Sequence, residues 1–386
     1  MAIINVPDDF STIQEAVNSA SEGDVILVKS KENNQPYNEE VTITTDNIRI
    51  VANGKDVVLQ GTVGSLNPAF RLSNVTGVEI KGFKIQNYHR GILIDDGSFN
   101  RIIRNETMDT SDGITCVFSS GNLIWKNEVK GNGTGFGICA IEQANSNWIT
   151  ENVVHGYVVG LFIATSAGNA LVGNLSFNNE AGFALFDGAS NTLLLCNEVF
   201  KNENNFGVNV DEGPNSVFIN NKIKYNDESG LLLRSSQNCF VSKNELKKNN
   251  GNGIITRGVS NFNIIQENKI EKNKENGINL ATSADKNTII RNCIECNNED
   301  GINIEGDENN IVQNKVCNNK VLDIDDNGTD NEFADNKCRK SDPQDICKNC
   351  HYKYYHYGHC PYKDYYCEYC PYKDSEYCPC KYEHDD

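Results

Sequence analysis

Charged side chains recur at one position of this sequence, four residues after a regularly spaced glycine. Asp211, Arg234 and Arg257 occupy that position in three consecutive repeats, and Asp187 and Glu212 each come directly after it. Two carboxylates of this kind could act as general acid and base on a sugar, and arginines bind a sugar carboxylate through paired hydrogen bonds. The same row suits a ladder of exposed ion pairs, worth about 0–1 kcal/mol each. The regular repeats, with no long loop to build a cleft, favour the ladder.

The C-terminus holds a second group of reactive residues, since eight of the fifteen cysteines lie between Cys338 and Cys380. Two pairs of the form Cys-x2-Cys match the spacing of a four-thiolate zinc ribbon, and their members are Cys347, Cys350, Cys367 and Cys370. The segment CKNCH, which begins at Cys347, also fits the attachment pattern of a c-type haem. Haem attachment needs export and an apolar pocket, and neither is visible in the sequence.

Tyrosines accompany these cysteines. Between His351 and Tyr382 there are eleven tyrosines and no Leu, Ile, Val, Phe, Met or Trp, so this segment cannot form a core of its own. Its composition suits disulfide stapling or oxidative cross-linking to other protein chains, and cross-linking is favoured over zinc because tyrosines outnumber the metal ligands. A solvated tail without a role is the remaining alternative. The residues expected to form the cross-links are Cys360, Cys378, Cys380, Tyr365, Tyr366 and Tyr369.

These reactive residues are attached to a long repeat. A glycine followed by alternating apolar residues returns every 22 to 25 residues from Gly91 to Gly301, and an asparagine follows it by 13 to 15 residues. The residue after the glycine and the residue three before the asparagine are apolar in all ten copies. Short β-prone runs with alternating polarity, at a period too short for helical pairs or propeller blades, predict one turn of a parallel β-coil per repeat.

Asparagine at a fixed corner has a physical cause. It tolerates the left-handed conformation of tight turns, and stacked side-chain amides hydrogen-bond to one another. The sequence therefore predicts a corner column of asparagines that runs from Asn105 to Asn336. A second column is predicted five or six residues before the first, at Asn100, Asn122, Asn147, Asn169, Asn191, Asn215 and Asn238.

At these residues the chain resembles the NosD-like group of right-handed parallel β-helix proteins, within the pectin lyase-like superfold. The segment VPDDFSTIQEAVNSASEGDVILVK is similar to the N-terminal segment of that group, and it predicts a short helix begun by Ser11 or Thr12. We therefore predict an all-β fold in three parts. They are an N-terminal cap and first strand over residues 1–38, a right-handed parallel β-helix over 39–338, and a Cys/Tyr-rich tail over 339–386.

Charge and composition limit the partners and the compartment. The net charge of −18 disfavours nucleic acid, because phosphate would be repelled, and no stretch approaches the length of a membrane span. The first residues lack the pattern of a signal peptide, which predicts synthesis in the cytoplasm without one. The tail is similar in composition to Tyr/Cys-rich segments of bacterial spore-coat proteins, which implies deposition on a spore or another outer surface.

The sequence alone favours a non-catalytic structural rod, attached or cross-linked through its tail. The superfold includes lyases, hydrolases and epimerases of polysaccharides, but the family motifs for pectin and alginate chemistry are missing. The alternative is such a polysaccharide-active enzyme, and a second alternative is a glycan- or protein-binding module. No cofactor is expected in the β-helix, and zinc in the tail is the alternative to cross-linking. The residues of the enzyme alternative are Asp187, Asp211, Glu212, Arg234 and Arg257.

Overall fold

The computed structural model describes residues 1–62 and 65–349. Within these residues the chain winds as a parallel β-helix with three long sheets, here called sheets A, B and C. Each regular turn adds one strand to A, then to B, then to C, and each strand pairs in parallel with its equivalents in the turns before and after. The predicted all-β coil is confirmed.

The strand bounds follow the chain through the turns. Sheet A contains Ile3–Val6, Val25–Val28, Arg49–Ala52, Glu79–Lys81, Arg101–Ile103, Leu123–Trp125, Trp148–Thr150, Ala170–Val172, Leu193–Leu195, Val217–Ile219, Phe240–Ser242, Ile264–Gln266, Thr288–Ile290, Asn310–Val312 and Glu332–Ala334. Sheet B contains Val58–Gln60, Lys84–Gln86, Glu106–Thr110, Glu128–Gly131, Val153–His155, Leu175–Phe177, Glu198–Phe200, Lys222–Lys224, Glu245–Lys247, Lys269–Glu271, Cys293–Glu295, Lys315–Cys317, Lys337–Cys338 and Lys348–Asn349. Sheet C contains Val41–Ile43, Pro68–Ser73, Arg90–Asp95, Asp112–Val117, Phe136–Ile141, Val159–Ala164, Ala181–Phe186, Val208–Asp211, Leu231–Arg234, Ile254–Arg257, Ile278–Leu280, Ile302–Ile304, Ile324–Asp326 and Ser341–Asp342.

The core is a thin column of aliphatic side chains inside the coil. Every member of the two predicted apolar columns is buried, and each exposes at most 1% of its surface. On sheet C, Ile254 pairs with Leu231 on one side and with Ile278 on the other, so like residues stack on like. This stacking is why the repeats hold one residue class at each inward position.

The corner between sheets A and B carries the predicted asparagine ladder from Asn105 to Asn336. At one representative step, the Asn268 Oδ1 atom accepts hydrogen bonds from the main-chain N–H and the Nδ2 of Asn244, at 2.9 and 3.0 Å. Asn268 Nδ2 in turn donates to the carbonyl oxygen of Val241 at 2.9 Å. Each buried side chain thus satisfies main-chain groups that the tight corner would otherwise leave unpaired.

The predicted second column is correct only in its first half. Asn100, Asn122, Asn147 and Asn169 are buried at the corner between sheets C and A, but Asn191, Asn215 and Asn238 are exposed, with φ between 53° and 59°. From that point the buried position belongs to the next residue, successively Thr192, Ser216 and Cys239. The reason is that the exposed asparagine takes the left-handed turn, which directs the following side chain inward.

A third ladder, at the corner between sheets B and C, was not predicted. Its members are Asn179, Asn202, Asn226, Asn249, Asn273, Asn297 and Asn319. Their amides pack beside the repeat glycines; the Asn297 Nδ2 atom, for example, lies 2.9 Å from where a Cβ on Gly277 would stand. A larger residue than glycine would therefore collide with the ladder.

We expect Asn297→Ala to lower the free energy of unfolding by about 1–3 kcal/mol, because it leaves buried polar groups unpaired. Asn297 Oδ1 accepts from both the N–H and the Nδ2 of Asn273, each at 3.0 Å. The matched control is Asn298→Ala at the exposed neighbouring residue. Urea denaturation of both variants checks the difference, and equal midpoints would show that the third ladder does not stabilise the coil.

The described residues contain few helices, and one of them closes the N-terminal end of the coil. The predicted helix, Ile13–Ser19, covers the N-terminal end with Ile13, Ala16 and Val17. Thr12 is its N-cap and forms a capping box with the Glu15 side chain. The described residues also contain two short 3-10 helices, at Glu32–Asn34 and Gln344–Ile346. No helix in the described ranges is long and apolar enough to cross a membrane.

The coil continues past residue 338, where the sequence places the start of the tail. Strands Ser341–Asp342 and Lys348–Asn349 add to sheets C and B, and a disulfide joins Cys338 to Cys347 with 5.1 Å between their Cα atoms. A zinc site that uses Cys347 would therefore need this bond to be reduced, because only a thiolate binds the metal. The other predicted ligands, Cys350, Cys367 and Cys370, lie outside the described residues. The predicted cross-linking residues Cys360, Cys378, Cys380, Tyr365, Tyr366 and Tyr369 lie there as well.

Candidate functional site

The charged row predicted from the sequence lies on the outer face of sheet C. Asp211, Arg234 and Arg257 end three successive strands and pair in register, Asp211 with Arg234 and Arg234 with Arg257. The Arg234 Nη2 atom is 2.6 Å from the Asp211 Oδ2 atom, while the Arg257 side chain is exposed one turn further along. The structure thus brings the three residues together and forms one ion pair within the row.

Asp187 and Glu212 take the corner position directly after two neighbouring strands of sheet C. Both are exposed and adopt left-handed conformations, with φ of 52° and 57°. The main-chain N–H of Gly188 donates to the Glu212 carbonyl at 2.9 Å, so the two corners stack. The two carboxylates therefore border the row on its corner side, one of them a turn before the Arg234–Asp211 pair.

Three phenylalanines cross the outer face of sheet C diagonally, over three successive turns. The Phe136 and Phe162 rings are stacked with centroids 4.4 Å apart, and Phe162 meets Phe186 edge to face at 5.8 Å. All three rings are partly exposed. The diagonal ends at Phe186, one turn before Asp211 on the same edge of the sheet. Sequence reasoning did not predict this diagonal, although Phe162 two residues after Gly160 and Phe136 just before Gly137 were visible signals.

Asn209 lies between the aromatic diagonal and the charged row. It faces outward from the middle of the sheet, paired with Ala184 on one side and Leu232 on the other. The residue is 7% exposed, and its Oδ1 atom has no hydrogen-bond partner within the described residues. A buried acceptor without a partner is costly unless something else donates to it. Sequence reasoning missed this residue.

Polar residues also surround Phe136, at the other end of the diagonal. Arg90 Nε lies 3.2 Å from the Asp112 Oδ2 atom, and the Asp112 Oδ1 atom accepts from the main-chain N–H of Phe136 at 3.1 Å. The outer surface formed by Phe136, Phe162, Phe186, Asn209, Asp211, Arg234 and Arg257, with Asp187 and Glu212 at its border, is called the sheet C face below. It offers aromatic rings, a buried amide, paired guanidinium groups and several carboxylates.

Metal ligands are not clustered in the part of the chain that the structure describes, which contains no group of three or more His, Cys, Asp or Glu placed to hold an ion. Its two histidines are His89 and His155. The His155 ring stacks on Phe177 with centroids 4.9 Å apart, and burial together with the nearby Lys130 lowers the pKa of His155 to about 4.

Several solved structures share this fold, among them two epimerases and a DFA-IIIase. The A-module of the mannuronan C-5 epimerase AlgE6 from Azotobacter vinelandii covers 78% of this chain and 92% of its own, with a TM-score of 0.64 and 15% identity. The periplasmic alginate epimerase AlgG covers 87% of this chain and 83% of its own, with a TM-score of 0.52 and 14% identity. The DFA-IIIase from Arthrobacter chlorophenolicus A6 in complex with GF2 covers 75% of this chain and 93% of its own, with a TM-score of 0.51 and 12% identity.

These comparisons contradict the predicted non-catalytic structural rod. Proteins that share the coil over most of its length include epimerases and a DFA-IIIase, which points to the enzyme alternative over the structural one. The prediction was wrong because it took the missing motifs and the regular turns as signs of an inert surface. At 12–15% identity the likeness itself shows the fold.

Sequence comparison places the chain in a family. No curated protein matches it. A family model described as right handed beta helix region matches residues 197–338, which agrees with the predicted handedness. A second family model matches residues 17–216, which is more than half of the chain, and on that match the chain belongs to the family described as periplasmic copper-binding protein (NosD).

Proposed function

We propose that this protein is a polysaccharide-active enzyme that binds an acidic sugar chain along the sheet C face. The observation that carries the proposal is the continuous surface from Phe136 to Arg257, in which stacked rings lead to an Arg–Asp pair past a buried amide oxygen that lacks a partner. The fold shared with alginate epimerases and a DFA-IIIase supports it.

Each part of the face suits one part of a sugar. The partly exposed rings of Phe136 and Phe162 offer flat apolar surfaces for the C–H faces of pyranose rings. A sugar hydroxyl that reached the Asn209 Oδ1 atom after neighbouring side chains moved aside would satisfy that buried acceptor. Arg257, exposed next to Arg234, can bind a uronate carboxylate through paired N–H groups.

The chemistry we propose is removal of the proton next to that carboxylate, as in an epimerase or a lyase. Guanidinium groups stabilise the charge that develops on the carboxylate when the proton leaves. Asp211, held by Arg234 at 2.6 Å, is the proposed base, and Glu212 or Asp187 at the border is the proposed second acid–base group. The net charge of −18 makes local arginines necessary for an anionic substrate.

The copper in the family description does not fit the residues that the structure describes. Copper sites in proteins use histidine, cysteine and methionine ligands. In the described ranges, His155 is stacked on Phe177, and no group of three or more potential ligands is present. We therefore assign copper no part in the proposed reaction. Because the family and one structural neighbour are described as periplasmic, we propose that the protein acts outside the cytoplasm.

The test is an assay of the full-length protein on alginate, polymannuronate, pectate and a neutral fructan. We expect new unsaturated ends, or a changed ratio of uronate epimers by NMR, on at least one acidic polymer. Activity on the fructan alone would support the proposal that the protein is an enzyme but contradict the proposal that its substrate is acidic. No conversion of any polymer, with and without added calcium, would refute the proposal.

The aromatic diagonal gives a binding prediction. We expect Phe162→Ala to weaken the binding of a uronate oligosaccharide about threefold to tenfold, because the central ring of the stack is lost, at about 0.5–1.5 kcal/mol for an aromatic pair. The matched control is Trp148→Ala, which removes a 54%-exposed ring from the outer face of sheet A. Titration calorimetry measures both, and equal affinities in the two variants would place the sugar elsewhere.

A further inference from the structure

The outer face of sheet B carries a second apolar surface, separate from the core. Val153, Leu175, Phe177 and Phe200 form a cluster of their own, here called the sheet B patch. Alternation along the strands places their neighbours Val154 and Val199 inside the coil, so the patch faces outward. The Phe177 and Phe200 rings are stacked with centroids 5.2 Å apart.

The sheet B patch is buried although it faces outward. Leu175 and Phe200 expose 0% of their surface and Phe177 exposes 1%. The strand Leu175–Phe177 contacts chiefly its two neighbours in sheet B and two strands of sheet C, all beside it or behind it. An outward apolar face of this kind is stable in water only under a cover.

We propose that the cover is the C-terminal segment of the same chain, residues 350–386. Sheet B ends at Lys348–Asn349, so the chain leaves the described region on the same sheet, seven strands from Glu198–Phe200. That distance is about 34 Å at about 4.8 Å per strand. The segment has 37 residues, which reach up to about 120 Å. Its eleven tyrosines bring apolar rings with polar tips, which suit a cover with one side in water.

Two disulfide-bonded cysteines on or beside sheet B also support residues 350–386 as the cover. Cys196 precedes the strand Glu198–Phe200, Cys317 ends a strand of sheet B, and both are disulfide-bonded. The ladder residues beside them, Asn197 and Asn314, are five turns apart, which corresponds to about 24 Å. Because the Cα atoms of bonded cysteines lie within about 7 Å of each other, Cys196 and Cys317 cannot bond to each other.

Among the other described cysteines, Cys338 and Cys347 are joined to each other, and the rest form no disulfide. The proposed partners are therefore among the cysteines of the segment, Cys350, Cys360, Cys367, Cys370, Cys378 and Cys380. Each bond forms by thiol–disulfide exchange with a small disulfide such as oxidised glutathione. One protein thiolate displaces a glutathione thiol, and the second protein thiolate then displaces the other, so two protein thiols are oxidised and the donor is reduced.

The first experiment is a peptide map of the full-length oxidised protein after alkylation without reductant. We expect the Cys196 and Cys317 peptides to be joined to peptides from residues 350–380 of the same chain. Alkylation of both residues as free thiols, or their appearance only in covalent dimers between copies, would overturn the proposal.

The second experiment places a specific protease site after Asn349 in the full chain and cleaves the folded protein. We expect the segment to stay with the β-helix on a sizing column until reductant is added, and then to dissociate at least tenfold faster from a Phe200→Ser variant than from the parent. Ile264→Ser, at a 40%-exposed residue of sheet A, is the control and should dissociate like the parent. Release without reductant, or equal rates in the two serine variants, would show that the patch does not hold this segment.

Discussion

The Ile265→Asp variant is expected to lose about 3–5 kcal/mol of its free energy of unfolding, because a carboxylate would stand without a partner inside the coil. Ile265 is fully buried between Val241 and Ile289 on the inner side of sheet A. A polar group at this point has no water and no donor to pair with. Since each turn is stabilised mainly by its two neighbours, we expect the loss to spread along the coil from the site of the change.

The adjacent residue provides the control. Ile264 belongs to the same strand but points outward and is 40% exposed, so Ile264→Asp should change the stability by less than about 0.5 kcal/mol. Urea denaturation followed by circular dichroism compares the two variants with the parent. Midpoints that agree between Ile265→Asp and Ile264→Asp would mean that the inward and outward positions are assigned incorrectly.

On the substrate that the activity assay identifies, Asp211→Asn is expected to lower kcat by about 10²–10⁴-fold, because the amide cannot take a proton. The change preserves the shape of the side chain beside Arg234, so the substrate should still bind. The expected signature is therefore a fall in kcat with a much smaller change in KM.

Asp95→Asn is the matched control for this variant. Asp95 also ends a strand of sheet C and is also paired with an arginine, Arg71, at 3.0 Å, but it lies several turns from Asp211. It should leave kcat unchanged. Thermal denaturation of both variants excludes a loss of structure as the cause. A kcat for Asp211→Asn within threefold of the parent would remove Asp211 from the proposed chemistry.

Most of the coil could be predicted because its repeats impose the same requirement many times. Ile102 and Ile124 occupy the same position in two successive turns and pair directly with each other. The requirement for a buried apolar side chain at that position is visible in every copy. The ladder at Asn105 is equally visible, because one side chain serves each tight corner. The corner at Asn191 was misassigned because two neighbouring residues can both satisfy a turn, and only the backbone conformation decides which of them faces inward.

The candidate site was only half predictable. The charged row was visible because Asp211, Arg234 and Arg257 share one position of the repeat. The aromatic diagonal was not, because Phe136 and Phe162 occupy different columns and meet only through the offset between adjacent strands. The missing partner of Asn209 Oδ1 depends on the burial of that atom, which no spacing reveals.

The asparagine ladders also bear on how such a molecule changes its length during evolution. Every turn presents to the next the same donors and acceptors, as the repeated bonds from Asn221 through Asn244 to Asn268 show. A gene duplication that copies one whole turn therefore inserts a module whose hydrogen-bonding groups match both neighbours. A partial copy would interrupt the hydrogen-bonded ladders at all three corners. The number of turns on either side of the sheet C face can consequently drift while the face itself is preserved.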